Sequence, residues 1–205
     1  MSDEAFWNER YRGQTAIWSG EPNARLVEEA SALTPGVALD AGCGEGADAI
    51  WLAERGWRVT AVDIASTALD RARAVDVLPA VAGRIDWQRG DLVAKPPPAA
   101  AFDLVAAHFM QMAPDALATF VGGLAAAVKP AGTLLVVGHH PSDLHTTARR
   151  PRGPGVLYSA EDVVALLDPG EWDIAVCAAR PRRASDPNGN SITVHDTVLR
   201  AQRRA

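Results

Sequence analysis

Cysteine is nearly absent from this sequence: Cys43 and Cys177 are the two thiols in 205 residues. Two cysteines so far apart argue against a disulfide framework or a cysteine-built zinc site, and they suit a reducing compartment. Lysine is equally scarce, at Lys95 and Lys129, so the bases are almost all arginine. Acids outnumber bases 25 to 20, for a formal charge of −5. That balance speaks against a nucleic-acid binder, which is usually basic. No stretch offers the ~18 uninterrupted apolar residues of a membrane span. The opening MSDEAFWNERYR is polar and charged, without the apolar core of a signal peptide. These absences predict a soluble, cytoplasmic protein with no membrane partner. What is present, 48% hydrophobic residues, suffices for one globular domain with a real core.

Apolar runs and breakers alternate along the chain. Residues 24–33 read as a short helix halted by Pro35–Gly36. GVALDAG, WRVTAVD, RIDWQRGD, FDLVAAHF and GTLLVVGHH read as five strands. GADAIWLAERG, STALDRARAV and DALATFVGGLAAAV read as helices between them, with Gly56 as a C-terminal cap and Ser66 as an N-cap. KPPPAA continues neither kind of element. SAEDVVALL opens with a capping box at Ser159 and Asp162. EWDIAVCAAR and SITVHDTVLRA, joined through an Asn-Gly turn in PNGN, form a closing hairpin. Five rounds of β/α alternation with near-continuous apolar strands predict a doubly wound α/β sheet covered on both faces. Residues 139–157 form a long loop, a functional candidate by its length.

The informative stretch is LDAGCGEG, residues 39–46. A strand, then glycines, then a helix is a ligand cradle: Gly42, Gly44 and Gly46 permit tight turns and close approach, and a helix N-terminus lies beyond. The third glycine sits one place earlier than in the dinucleotide pattern G-x-G-x-x-G. Asp40 ends the strand just before the loop, where a carboxylate repels a pyrophosphate, and no Lys or Arg in the loop offsets it. Asp63 ends the second strand, placed to accept from ribose hydroxyls. Gly90-Asp91-Leu92 ends the third strand, beside an adenine slot. A ligand that wants an anion, a ribose clamp and an adenine slot, and brings no phosphate, is S-adenosylmethionine.

LDAGCGEG, AVDIA, GDL and FDLVAAHF, in this order and spacing, resemble the successive motifs of class I S-adenosylmethionine-dependent methyltransferases. The N-terminal FWNERYRGQTAIWSGEPN resembles the aromatic lead-in of the small-molecule branch that includes tellurite-resistance and thiopurine methyltransferases. The resemblance implies a Rossmann-like sheet of seven strands, order 3-2-1-4-5-7-6, with the last strand antiparallel. Residues 1–205 would be one methyltransferase domain: a lid segment over 1–34, a core over 35–205, and a substrate-side loop over 139–157. It implies Asp40 near the methionine ammonium, and the backbone of Gly42, Cys43 and Gly44 under the cofactor. It places Asp63 on ribose, Ile64 against adenine, and Asp91 and Leu92 at the adenine edge. His108 would lie near the methionine and sulfonium, and Trp7, Tyr11 and Trp18 in the lid. Activity would be methyl transfer to a small-molecule acceptor by in-line displacement, with S-adenosylhomocysteine as product. A nicotinamide-dependent oxidoreductase shares Asp63 and the loop, and a non-catalytic S-adenosylmethionine-binding module shares the whole pocket.

His108, His139 and His140 follow strands four and five at the carboxyl edge, where ligands bind. Each is a candidate general base for an acceptor hydroxyl or thiol. His139, His140, Asp143 and His145 match no strong metal-ligand spacing, so no metal is expected. Arg149, Arg150 and Arg152 form a basic run in the long loop, readable as a solvated segment or as an anion gate. His195, in the last strand, reads as structural, and Cys43 as a small buried residue.

Overall fold

The computed structural model describes residues 4–13, 17–150, 153 and 155–205. Seven strands form one sheet: β1 (Val37–Ala41), β2 (Arg58–Asp63), β3 (Ile85–Arg89), β4 (Phe102–His108), β5 (Val128–His139), β6 (Trp172–Ser185) and β7 (Ser191–Arg203). Their order is β3-β2-β1-β4-β5-β7-β6. The first five are mutually parallel, and β7 runs antiparallel to both of its neighbours, β5 and β6. This is the sheet the family resemblance implies. The helices are α1 (Glu4–Arg12), α2 (Ala24–Ala30), α3 (Ala47–Glu54), α4 (Ser66–Arg73), α5 (Pro79–Ala82), α6 (Pro114–Ala127) and α7 (Ala160–Val164).

The central strands are apolar on both faces because both faces are covered. In β4, Val105 and Ala107 join the core beneath α6 and α7, with Phe120, Leu124 and Val163. Leu104 and Ala106 point the other way, into the core beneath α2 and α3, with Leu26, Leu52 and Trp57. Leu104 is fully buried, so Leu104→Ala costs about 2–5 kcal/mol.

Several expectations are corrected. The β/α alternation is broken between β3 and β4, which no helix joins. Pro96, Pro97 and Pro98 lie in that crossover, and proline lacks the N–H a helix interior needs. Gly123 inside α6 follows from this: a Cβ there would sit 3.0 Å from Pro96 Cβ, so the helix is thinned where the linker crosses it, while a Cβ on the neighbouring Gly122 would meet open space. Ser66 is not the N-cap of α4; Ala65 holds that position without a side-chain bond. The capping acceptor comes from α1 instead, as Asn8 Oδ1 accepts from Thr67 N–H at 3.0 Å and from the Ser66 hydroxyl at 3.3 Å. β3 ends at Arg89, so Asp91 lies just beyond the strand. The long loop contains a 3-10 turn over Pro141–His145. The Asn-Gly signal sits in a hairpin loop over residues 186–190, organised by the Asp186 carboxylate, which accepts from the N–H groups of Asn188 and Asn190. The capping box at Ser159 and Asp162 is present, and Gly56 has φ +94° just past the end of α3.

Candidate functional site

The glycine loop lies at the carboxyl edge of the sheet, between β1 and α3. Its N–H groups are turned inward. Those of Gly42 and Cys43 donate to the Val62 carbonyl at 2.8 and 3.0 Å, and that of Gly46 donates to the Cys43 carbonyl at 2.9 Å. Gly44 N–H donates to Asp63 Oδ2 at 2.8 Å. A phosphate cradle needs such groups facing the ligand; here they knit the loop to β2. Gly42, at φ +77°, carries the thioether of Met110 where a Cβ would stand. Gly46, at φ +88°, faces Trp87 and Ala72 so closely that a Cβ would lie 2.5 Å from Trp87 Cη2. The third glycine therefore answers a packing need between α3, α4 and β3. Cys43 is buried, and burial together with the charges of Asp40 and Asp63 pushes its thiol well up, as suits an inert side chain.

Beneath the loop three side chains converge. Asp40, at the end of β1, is 2% exposed. It pairs in register with Ala106 of β4, so His108, two residues on, shares its face of the sheet. From the first turn of α3, Asp48 places Oδ2 2.7 Å from His108 Nδ1, and its Oδ1 accepts from Asn23 N–H at 2.6 Å. Ligating atoms of Asp40, Asp48 and His108 all lie within 4.8 Å of one another. Asp40 accepts from Ala49 N–H, while its Oδ2 and the Nε2 of His108 are buried with no hydrogen-bond partner among the described residues. Burial pushes the Asp40 carboxyl up, and the charge of Asp48 pushes it further. Burial alone would lower His108, but Asp48 and then Asp40 outweigh it and raise the imidazole. Burial opposes ionisation of Asp48, yet His108 holds that carboxyl below its ordinary range.

Asp63, at the end of β2, accepts from Gly44 N–H through Oδ2 and from Ala65 N–H through Oδ1, both at 2.8 Å. Burial raises it despite these bonds. Each oxygen keeps acceptor capacity beyond its single backbone partner. Ile64 and Asp91 line one shallow cleft with Glu4, Arg89 and Gly90, and Arg89 pairs with Glu4 across it at 3.0 Å. Asp91 is exposed, with Oδ1 accepting from Val93 N–H at 2.9 Å. Leu92 packs instead against the core under α6.

The N-terminal aromatics do reach the loop. Tyr11 and Trp7 pack on Ala65 and Ala68 of α4. Trp18 donates through Nε1 to Tyr11 Oη at 3.1 Å, and this pair lies against Gly44. Two residues not anticipated from the sequence hold the segment down. Glu45, inside the loop, accepts from the N–H groups of Ile17 and Trp18 at 3.2 and 3.1 Å. It also pairs with Arg71 at 2.6 Å, and Arg71 donates to the Tyr11 carbonyl. Asp48 was likewise missed. An acid in a helix's first turn is favoured by the helix dipole alone, so nothing local distinguished it from a general preference.

The remaining histidines separate. His139, at the end of β5, stacks on Phe109 with ring centroids 4.5 Å apart, and Phe109 has φ +54°. Burial first, then Arg150 and Arg182, push His139 down to about 4. A base for neutral pH works best near 7, so His139 is a weak proton acceptor. His140 accepts from Ser142 N–H at 3.2 Å and caps the 3-10 turn. Buried Asp143 joins the loop to β7, accepting from Arg150 Nε at 2.9 Å and from His195 N–H at 2.8 Å. Arg149 is exposed, and Arg152 lies outside the described residues. His145 is exposed on the 3-10 turn.

Comparison with known proteins agrees with this geometry. Residues 38–132 match the family model of a methyltransferase domain. The match covers just under half of the chain and takes in Asp40, the glycine loop and Asp63; it reads the protein as an S-adenosylmethionine-dependent methyltransferase, with S-adenosylmethionine as cofactor. A structure solved in work on conversion of a disulfide bond into a thioacetal group during echinomycin biosynthesis superposes with a TM-score of 0.74 at 22% identity, covering 98% of this chain and 92% of that one. TehB from Haemophilus influenzae gives 0.70 at 18% identity, covering 98% and 67%. The glycopeptide N-methyltransferase MtfA, complexed with S-adenosylmethionine, gives 0.65 at 16%, covering 88% and 86%. At these identities the likeness is one of fold. No curated protein matches the sequence. Among the described residues no helix is long and apolar enough to cross a membrane.

Proposed function

We propose that the chain transfers the methyl group to a small-molecule acceptor by in-line displacement, within the branch that includes the tellurite-resistance enzymes. The observation that carries this reading is the lid: Trp18, Tyr11 and Glu45 fasten the N-terminal segment directly over the glycine loop. A site roofed by its own chain suits an acceptor small enough to be enclosed, and enclosure excludes water from the reaction. The TehB likeness and the FWNERYRGQTAIWSGEPN lead-in support the branch.

The residues present fit the cofactor. Asp40 is a buried acid with an unpartnered oxygen, suited to the ammonium. Asp63 faces the loop for the ribose, and Ile64 and Asp91 share a cleft for adenine. Leu92 supports that cleft from the core side rather than lining it. Cys43 contributes backbone, with Gly42 and Gly44. Trp7, Tyr11 and Trp18 close the lid. The cofactor supplies a methyl already activated by a sulfonium. The protein's part is to hold the acceptor in line with it, an arrangement that supplies ~7–11 kcal/mol of the barrier. A base is needed only where the acceptor carries a proton, and His139, neutral at the carboxyl edge but a weak proton acceptor, would serve there as an acceptor contact rather than as that base.

The test is calorimetric titration with S-adenosylmethionine, S-adenosylhomocysteine and NADH, followed by incubation with methyl-labelled cofactor and a cell extract split by ultrafiltration. Binding of the first two and label in the low-molecular-mass fraction support the proposal. Label confined to retained macromolecules overturns the small-acceptor reading.

A further inference from the structure

We propose that Arg182, on the arm of β6 that reaches past the end of β5, recognises an oxyanionic group carried by the methyl acceptor, so that the acceptor is a small organic anion laid against Phe109 and His139. This rests on the small-acceptor reading above and names the chemical class of that acceptor.

Strand register brings these residues together. Asp40 pairs with Ala106, and Ala106 with Leu135. Alternate residues of a strand share a face, so Asp40, His108 and His139 lie on one face of the sheet, each nearer its carboxyl edge than the last. Phe109 packs against the core of that same face, its ring tilted 35° from that of His139. An aromatic residue at φ +54° persists only where its surroundings impose the strain, and such residues gather at ligand sites. His139 Nδ1 is buried with no hydrogen-bond partner among the described residues. His139 stands opposite Asp196 of β7 in the antiparallel ladder, which sets their Cβ atoms about 4.5–5.5 Å apart. Asp196 in turn accepts from Arg182 Nε at 2.8 and 3.1 Å. One carboxylate therefore separates the imidazole from the guanidinium. The pairing of β6 with β7 continues past this rung, from Pro181 to Ser185, where β5 has ended.

Charge shows what Arg182 lacks. Glu28 and Glu29 of α2 are taken by Arg25, Arg180 and Arg200, and Asp196 is shared by Arg25 and Arg182. Four guanidiniums thus meet three carboxylates. The surplus falls on Arg182. Arg25 gives Nη1 to Glu28 and Nη2 to the carbonyls of Arg180 and Pro181, whereas neither Nη of Arg182 has a partner among the described residues. Those two nitrogens form the fork that a carboxylate or phosphate takes bidentately. The Arg182 side chain is 37% exposed, open to a ligand yet anchored through Nε. Beyond the effect of burial, Arg150 and Arg182 lower the His139 imidazole and Asp143 raises it less. This corner of the carboxyl edge is therefore locally positive in a chain of formal charge −5, and a local field of that sign draws anions from solution.

The experiment incubates the enzyme with methyl-labelled S-adenosylmethionine and a dilution series of the ultrafiltrate of a cell extract, then passes the products over a strong anion exchanger at about pH 8, where carboxylates and phosphates are ionised. Labelled product should be retained. Phosphatase treatment, which frees the label from a phosphate ester and leaves a carboxylate bound, tells the two oxyanions apart. Arg182→Gln should lower kcat/KM for that product about 10–100-fold, chiefly through KM, as for a hydrogen bond to a charged group. Its dissociation constant for S-adenosylhomocysteine should be unchanged, which also shows that the variant is folded. Arg182→Lys keeps a cation beside Asp196 and gives up the fork, so its Tm should stay near that of the wild type while kcat/KM still falls. Label that runs through the exchanger overturns the proposal. So does an Arg182→Gln enzyme with wild-type kcat/KM, or one that loses S-adenosylhomocysteine in the same proportion. A lysine variant with full kcat/KM shows an ion pair to Asp196 that is structural alone, and overturns it too. A wild type that binds S-adenosylhomocysteine and labels nothing in the ultrafiltrate refutes the small-acceptor reading itself, a separate and recognisable result.

Discussion

Gly46→Ala tests the packing account of the glycine loop most directly. Gly46 has φ +88°, a left-handed conformation that costs a residue with a Cβ roughly 1–2 kcal/mol. The new methyl would also lie 2.5 Å from Trp87 Cη2 and 2.9 Å from Ala72 Cβ. Overpacking of that kind costs roughly 1–3 kcal/mol. The sum, roughly 2–5 kcal/mol, corresponds to a fall in Tm of about 4–20 °C for a chain of this size. The steric share is separable from the backbone share. Trp87→Leu removes the indole that the methyl strikes and leaves φ untouched. In a double-mutant cycle by thermal and urea denaturation, Gly46→Ala should therefore be less damaging in the Trp87→Leu background, by about 1–3 kcal/mol. Additivity within about 0.5 kcal/mol would show that the indole is not what excludes a side chain. An unchanged Tm in the single variant would refute both shares at once.

Three further outcomes are expected. Asp63→Ala removes the acceptor for Gly44 and Ala65 N–H as well as the proposed ribose clamp, so affinity for S-adenosylhomocysteine should fall roughly 10–150-fold and Tm should fall with it; unchanged affinity in calorimetry would sink the clamp. Glu45→Ala strips Ile17 and Trp18 of their acceptor and Arg71 of its partner, so limited proteolysis should cut the first 23 residues faster and cofactor release should quicken; equal rates would show the lid is held otherwise. His139 sits at about 4 when folded against an ordinary 6.5, so between those values the unfolded chain binds a proton that the folded one does not. Stability from this residue is then full above pH 6.5 and declines as pH falls toward 4, by about 3 kcal/mol in all. Urea denaturation from pH 4.5 to 7 should show a flatter profile for His139→Asn; parallel profiles would refute the assignment.

The strands, the glycine loop and the acids at strand ends were legible in the sequence because each is a local statement. Apolar runs require a sheet covered on both faces, and Asp40 before a loop without lysine or arginine sets the charge a ligand meets. The third glycine's position could be read as a departure from the dinucleotide pattern, but its cause, the Trp87 ring, lies 41 positions along the chain on β3. The break in the β/α alternation was foreshadowed by three prolines, while the matching Gly123 in α6 made sense only once the linker was seen to cross it.

The sequence by itself determined the strands, the doubly wound α/β class and the carboxylates at the carboxyl edge, since periodicity and turn chemistry act over a few residues; the order of the sheet came only through the family resemblance. Tertiary structure alone decided which side chains share a site. It brought Asp48 to His108 across 60 residues and Glu45 to Trp18 across 27. It also divided three similar histidines into a locked partner of Asp48, a neutral ring on Phe109 and a cap of the 3-10 turn. Charge and hydrogen bonding at a buried atom depend on neighbours in space, and a linear order of residues does not fix those until the chain has folded.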